Sequence, residues 1–382
     1  MIEASEFLAA LDAEGYGPYL GVPCSFLTPF INYTIASPRH EYLTVCNEGE
    51  AVAVAAGAYF AGRKPVVMFQ NSGLSNALSP LTSLTWPFKI PLLMITTHRG
   101  EPGLKDEPQH ELMGEITEPM LKLAQIGCGP FPREAGEIQP AVSQALQHLK
   151  ARSLPWAWIM KHGSVSDSPA PPESKVEWRH GEAFPGEDPH LLPTMTRAEA
   201  ISAVADTAPA HAAIVATTGK IGRELFTLRE RPGNLYVVGS MGCASSIGLG
   251  IARYRKNGGP VVVLDGDGAA LMRLEALASV GSYAPANLIH VILDNRMHES
   301  TGGQESLSGG VRFDWMALSC GYATAETLRS PAALHQAVAR ALSTPGPHLI
   351  HVRVLPGALA NLGRPTLTPV QVKERFMGFL AE

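Results

Sequence analysis

Two oxygen-bearing side chains, Asp267 and Asn295, stand twenty-eight positions apart, each just after an apolar run that reads as a buried strand. Val261–Leu264 leads into Gly266-Asp267-Gly268, and Leu288–Leu293 leads into Asp294-Asn295. Strands joined by a helical crossover pair in parallel, and their carboxyl ends then lie side by side where ligands bind. A hard cation such as Mg²⁺ takes oxygen ligands and usually shares its shell with phosphate. The chemistry implied is a diphosphate pinned through Mg²⁺. Gly266 and Gly268 let the backbone turn sharply and approach a bulky anion. A helix starting near Ala269 would aim free N–H groups at the same spot. A bare Gly-Asp-Gly is most often an ordinary turn; the flanking strands and the later amide oxygen make this one a candidate site.

Further chemistry-bearing segments stand elsewhere. CNEGEAVAVAAGAYFAG places Glu48 and Glu50 at the start of a helix of small residues. The two differ by about 200° around a helix, so they cannot both face one pocket. Either could simply favour the positive end of that helix. Thr217-Thr218-Gly219-Lys220 follows a strand and would reach a diphosphate or a substrate through Gly219 and Lys220. GSMGCASSIGLG, from Gly239, is a close-packing strand-to-helix turn. It lacks the G-x-G-x-x-G order of a dinucleotide loop and the acidic residue expected after the next strand.

These residues need parallel sheets to position them. Strands are expected at Tyr19–Val22, Tyr42–Val45, Pro65–Phe69, Leu92–Thr96 and Trp156–Lys161, with helical patterns near Phe26–Ile35, Glu48–Ala61, Leu74–Leu84 and Gln139–Ala151. That alternation argues for a doubly wound parallel sheet. Gly163–Pro193 is rich in proline and without periodicity, as a linker would be. Strands resume at Ala213–Ala216, Leu235–Val238, Val261–Leu264, Leu288–Leu293 and His348–Val354. A last helix, Pro369–Leu380, is capped by Thr368 with proline at its first position. The expected organisation is an α/β domain over 1–163, a linker over 164–193 and a second α/β domain over 194–382, with no middle domain.

Bulk properties fit two ordinary cores: 382 residues, 45% hydrophobic and 17% charged. A net charge of −5 and scattered basic residues give no case for nucleic acid. No apolar run reaches membrane-spanning length, so no membrane is expected. The start, MIEASEFLAALDAEG, is acidic and reads as an amphipathic helix rather than a secretory leader. Five cysteines without a CxxC spacing indicate neither a disulfide framework nor zinc. A cytoplasmic protein is the expectation.

Gly-Asp-Gly followed by Asp294-Asn295 resembles the metal-diphosphate motif of thiamin-diphosphate enzymes, with Asp294 in place of the first of two asparagines. By that resemblance the Met297 carbonyl completes the protein's share of the Mg²⁺ shell. Such enzymes need a carboxylate at the aminopyrimidine ring. Their pattern of Glu, small residues and Gly-x-Tyr selects Glu48, counting back from Gly57-Ala58-Tyr59. Their Gly-Ser-x-Gly maps the ring-wedging side chain onto Met241 and a carbonyl facing the exocyclic amine onto Gly239. Gly219, Asp267, Gly268, Ala269 and Asn295 make up the rest of the expected cofactor contacts. A compact chain without a middle domain narrows the likeness to decarboxylases of 3-substituted pyruvates.

Within that group, Gln70–Leu84, His98–Glu115, Thr217–Phe226, Val238–Ala252 and Asp294–Gln304 resemble the phosphonopyruvate decarboxylase family. The resemblance implies thiamin-diphosphate-dependent loss of CO₂ from a small anionic 2-oxo acid, giving phosphonoacetaldehyde. A dianionic phosphonate needs clustered cationic donors. Candidates are Arg99, Lys105 and His110 in a long loop, Lys220 and Arg223 after a strand, and His298, which could anchor the phosphonate or donate the final proton. Ser25 belongs at the site by resemblance. Cys24 stands where the family usually has Asp, and Cys243 and Arg273 stand where histidines are expected. The nearest alternative is sulfopyruvate decarboxylase; a more distant one is a diphosphate-binding protein without catalysis. The family also implies a homodimer or larger homo-oligomer, with active sites between subunits.

Overall fold

The computed structural model describes residues 1–171, 179–184, 186–187 and 192–382. They form two compact units, Met1–Tyr59 with Arg63–Val176, and Phe60–Gly62 with Glu177–Glu382.

The first unit is built on a six-stranded sheet. Its order is Tyr42–Thr44, Tyr19–Gly21, Val66–Phe69, Leu93–Thr97, Trp156–Met160 and Gly127–Pro130, every pair parallel. VVMF, LMITT and WAWIM are buried at every residue, as strands covered by helices on both faces must be. On one face, Phe7 packs against Phe131 at 4.6 Å and Trp158 at 5.1 Å between ring centroids, locking helix Ala4–Ala13 to the sheet. Strand Tyr19–Gly21 is flanked by the next strand in sequence on one side and by Val66–Phe69 on the other. The connections therefore diverge there, which opens a crevice at the strands' carboxyl ends.

The second unit carries a seven-stranded parallel sheet. Its order is Glu182–Ala183, Thr324–Leu328, His348–Arg353, Leu288–Asp294, Val261–Gly266, Ala213–Ala216 and Asn234–Tyr236. Leu288–Asp294 lies at its centre and is buried along its whole length. Here the connections diverge at Ala213–Ala216, between Asn234–Tyr236 and Val261–Gly266. The crevice is bordered by the Thr217–Lys220 and Gly266–Gly268 turns.

Two details differ from the sequence reading. The single crossover helix expected after Asp267 is two, Asp267–Met272 and Ala276–Tyr283, and it begins at Asp267 rather than near Ala269. Between them the backbone tightens into i→i+3 bonds, Ala276 N to Arg273 O and Ala278 N to Glu275 O. The expected linker is also partly ordered into the second sheet. Glu182–Ala183 pairs with Thr324–Ala325 as an edge strand, and Glu187 accepts the N–H groups of Arg329 and Ser330 at 2.6 and 2.9 Å. Positions 172–178, 185 and 188–191 of that stretch lie outside the described residues.

Candidate functional site

In the second unit, strand register brings the oxygen ligands together. Gly266 pairs with Leu293, so the chain leaves both strands at one level and Asp267 emerges beside Asp294-Asn295. Asp267 and Asn295 are 4% and 8% exposed. Asp267 Oδ2 accepts from the Ser306 hydroxyl. The Ser308 hydroxyl lies 3.1 Å from the same oxygen and 2.7 Å from Asp294 Oδ1. His351 Nε2 stands 3.0 Å from Asp294 Oδ2. Asn295 Oδ1 accepts the Met297 N–H at 3.0 Å, which fixes its amide at the head of the following turn.

The electrostatics separate the two acids. Burial lifts the Asp267 carboxyl above its ordinary range, and nearby Asp294 adds to the lift against the hydrogen bond from Ser306. Burial also opposes ionisation of Asp294, but His351 and Ser308 hold its carboxyl below the usual range. A divalent cation at Asp267 would relieve the crowding of negative charge. Among the described residues no group of three or more His, Cys, Asp or Glu side chains is arranged to hold a metal ion. The expected set, one carboxylate, one amide and a backbone carbonyl, would suit a cation whose remaining ligands come from a diphosphate.

The other second-unit candidates converge on this point. A Cβ built on Gly268 would lie 2.4 Å from His298 Cε1 and 3.4 Å from Met241 Cε, so glycine is what lets both side chains close over the turn. Gly242 backs onto the Ala269 carbonyl, which seats the Gly239–Gly242 loop on the Asp267 turn. Gly219 has φ +94°, and its Cα faces the Ser300 hydroxyl. Thr218 Oγ1 donates to Val238 O at 3.0 Å, tying that turn to the residue before Gly239. Lys220 Nζ lies 3.8 Å from Glu299. Arg223 is drawn elsewhere: its guanidinium donates to the carbonyls of Gly363 and Leu362 at 2.9 and 2.7 Å. Its surroundings speak for bracing the chain near residue 363 rather than for meeting a substrate.

In the first unit, the strand ends gather a separate set. Glu48 is buried; its Oε2 accepts from Asn76 Nδ2 at 2.8 Å, and its carboxylate packs directly on Gly73. Glu50 turns the other way and accepts the Cys46 N–H at 2.8 Å, as their angular separation requires. Cys24 Sγ stands 3.2 Å from Gln70 Oε1. Arg99 Nη1 lies 3.4 Å from Ser25 Oγ, but its fork is engaged by Asp106, with Nε to Oδ2 at 2.8 Å. That bond from Arg99 holds the Asp106 carboxyl well below the usual range. Lys105 is exposed on the same loop. His110 is buried, its carbonyl packs on Gly100, and its Nδ1 meets no hydrogen-bond partner. A cavity of about 540 Å³ also lies at the strand ends of this unit, lined by His98, Glu115 and Lys161 among others; none of the predicted residues lines it.

Sequence reasoning missed Ser306, Ser308, His351, Asn76 and Glu299. None carries a local pattern that marks it in the sequence; their partners are brought to them by tertiary packing. The i, i+2 spacing of Ser306 and Ser308 was the one local hint.

Comparison with known proteins gives these clusters a family. Residues 3–120 match the thiamine pyrophosphate enzyme N-terminal TPP binding domain, and residues 217–352 match the C-terminal TPP binding domain. A phosphonopyruvate decarboxylase of Streptomyces viridochromogenes is 45% identical over 383 residues, covering 100% of this chain and 95% of that one. A sulfopyruvate decarboxylase of Methanosarcina acetivorans is 29% identical, covering 93% of this chain and 92% of its own. Among solved structures, the thiamine diphosphate-dependent 4-hydroxybenzoylformate decarboxylase of Rhodococcus jostii overlays with a TM-score of 0.72 at 14% identity, covering 94% of this chain and 100% of that one, which is a likeness of fold. The chain belongs to the phosphonopyruvate decarboxylase family of thiamine-pyrophosphate-dependent carboxy-lyases.

Proposed function

We propose that this chain converts phosphonopyruvate to phosphonoacetaldehyde and CO₂ in phosphonate biosynthesis, with thiamin diphosphate held through Mg²⁺. The observation that carries the substrate is the 45% identity to a phosphonopyruvate decarboxylase over the whole chain, against 29% to the sulfopyruvate enzyme. Asp267, Asn295 and the Met297 carbonyl would hold the cation. Ser306 and Ser308 orient the Asp267 carboxylate for that task. Gly268, Ala269 and Gly219 would offer close backbone approach to the diphosphate, and Met241 and the Gly239 carbonyl would face the rings. The bound cofactor supplies the electron sink for the pair left behind when CO₂ departs.

Glu48 is the carboxylate assigned to the aminopyrimidine ring. Its burial shields the carboxylate from water, and Asn76 orients Oε2. His298, against the Gly268 turn, is assigned to substrate turnover. Ser25, Arg99, Lys105, His110 and Lys220 are the remaining candidate contacts for the anionic substrate. Arg99 and Lys220 each already neighbour a carboxylate, so their positive charge is partly offset before substrate arrives.

The chain is read as working in a homodimer or larger homo-oligomer with sites between subunits. No helix of the described residues is long and apolar enough to cross a membrane. All five cysteines are free, as a reducing compartment such as the cytoplasm leaves them. Steady-state assays on both acids test the substrate. A clear kcat/KM preference for phosphonopyruvate is expected, and a higher value for sulfopyruvate would overturn the assignment.

A further inference from the structure

We propose that Glu299 and Arg197 are positioning residues that hold the Met297–Thr301 turn against the Gly219 and Gly268 loops, and so set how tightly the cofactor is held. The turn needs such an anchor. It belongs to a small antiparallel ribbon, Met297–His298 with Gln304–Glu305, and a ribbon this short is marginal by itself. Its own bonds, such as Thr301 N to His298 O at 3.1 Å, shape the turn but tie it to nothing outside.

Glu299 supplies that tie. It lies between His298, whose ring covers Gly268, and Ser300, whose hydroxyl faces Gly219. Its carboxylate is directed mainly into the body of the unit, with Lys220 alone reaching it from the Gly219 turn. There Oε2 accepts from Arg197 Nη1 at 2.6 Å, and Oε1 accepts the Gly357 N–H. Arg197 is itself clamped by Glu224, at 2.6 and 3.1 Å, and donates to Gly357 O at 3.2 Å. The side chains of Arg197, Glu224 and Glu299 are 6%, 0% and 9% exposed. Lys220 Nζ, 3.8 Å from Glu299, balances the second carboxylate and starts the helix that follows Gly219.

A buried ion pair adds little net stability over apolar residues of the same volume. What its directional, charge-assisted bonds supply is a single permitted arrangement. The arrangement selected here is the placement of the Met297 carbonyl, His298 and Ser300. Changing the outer-shell partners of metal ligands commonly costs 10–100-fold in metal affinity or activity.

The inference rests on reading this turn as part of the cofactor site, so the test separates the two. Apo-protein is titrated with thiamin diphosphate at saturating Mg²⁺, and the Tm of each apo-variant is recorded. Glu299→Gln is expected to raise Kd about tenfold while its apo Tm stays near wild type. Arg197→Lys keeps the buried charge but loses the fork; it should raise Kd similarly, and it serves if Glu299→Gln does not fold. Glu224→Gln, on the far side of Arg197, should lower Tm with Kd little changed. Affinity unchanged in both Glu299→Gln and Arg197→Lys overturns the proposal. So does a Glu224→Gln variant that loses affinity as much as Glu299→Gln. Asp267→Ala, run alongside, tests the cofactor site itself. Normal binding there would refute the site, whereas loss there with none in Glu299→Gln refutes the positioning role alone.

Discussion

Gly73→Ala isolates the role of Glu48 without touching it. Gly73 has φ −75° and ψ −8°, which alanine adopts without strain. The added methyl, however, would lie 2.0 Å from Glu48 Oε1, 2.1 Å from Cδ and 2.4 Å from Cγ, where ordinary contact begins at 3.4 Å. The carboxylate must therefore retreat, giving up its 2.8 Å bond from Asn76. A reacting group displaced by about 1 Å costs on the order of 10²-fold in rate, or about 2.7 kcal/mol on the barrier. Replacing glycine where the backbone is compatible stabilises by about 0.4–1 kcal/mol through the unfolded chain, which offsets part of the clash. The assay is CO₂ release at saturating thiamin diphosphate and Mg²⁺, with cofactor Kd and Tm measured separately. We expect kcat to fall about 100-fold with Kd nearly unchanged, because Glu48 is not assigned to the diphosphate grip. A kcat within threefold of wild type would refute the assignment of Glu48 as the ring carboxylate.

Glu48→Gln should retain cofactor binding yet lose nearly all decarboxylation; unaltered turnover would mean that the wrong carboxylate is named. Gly268→Ala, whose Cβ would fall 2.4 Å from His298 Cε1, should weaken cofactor affinity and kcat/KM together by about tenfold or more. Wild-type kinetics from that variant would remove His298 from the site. Burial pushes the Cys243 thiol up to about 11. Its reactive thiolate is therefore scarce at pH 8, at about one part in a thousand, and grows roughly tenfold per pH unit below that value. Mass spectrometry after iodoacetamide treatment of the folded protein should find Cys243 unmodified at pH 8, and rapid labelling there would contradict its buried, protonated state.

Much of the architecture was legible in the chain because fully buried parallel strands are continuous apolar runs. VVMF, WAWIM and LIHVILD announce themselves by composition. Other strands did not. Gly127–Pro130 reads GCGP, with no side chains to carry a pattern. Thr324–Leu328 reads TAETL, and its buried Glu326 is tolerated because Arg340 reaches it from the helix that follows. The short edge strand Glu182–Ala183 is likewise invisible locally, since two residues carry no pattern and acquire their pairing only from Thr324–Ala325.

The site divides the same way. By itself the sequence determined where the candidate anchor for the cofactor lies. Gly-Asp-Gly and Asn295 sit at strand ends, and strand ends in a parallel sheet are fixed by short-range pattern and one crossover. It also determined that Glu48 and Glu50 must diverge, because helical geometry is local. Only the tertiary structure decided which charges are free to act. Arg99 and Arg223 look alike in sequence, yet one is clamped by Asp106 and the other by the carbonyls of Leu362 and Gly363. Only folding sets Ser306, Ser308 and His351 around the acids, and Arg197 beneath Glu299, 102 positions away. The physical reason is the range of the interactions: turns and amphipathic faces are written within a few residues, whereas the partner of a buried charge is chosen by whatever the packed chain brings to it.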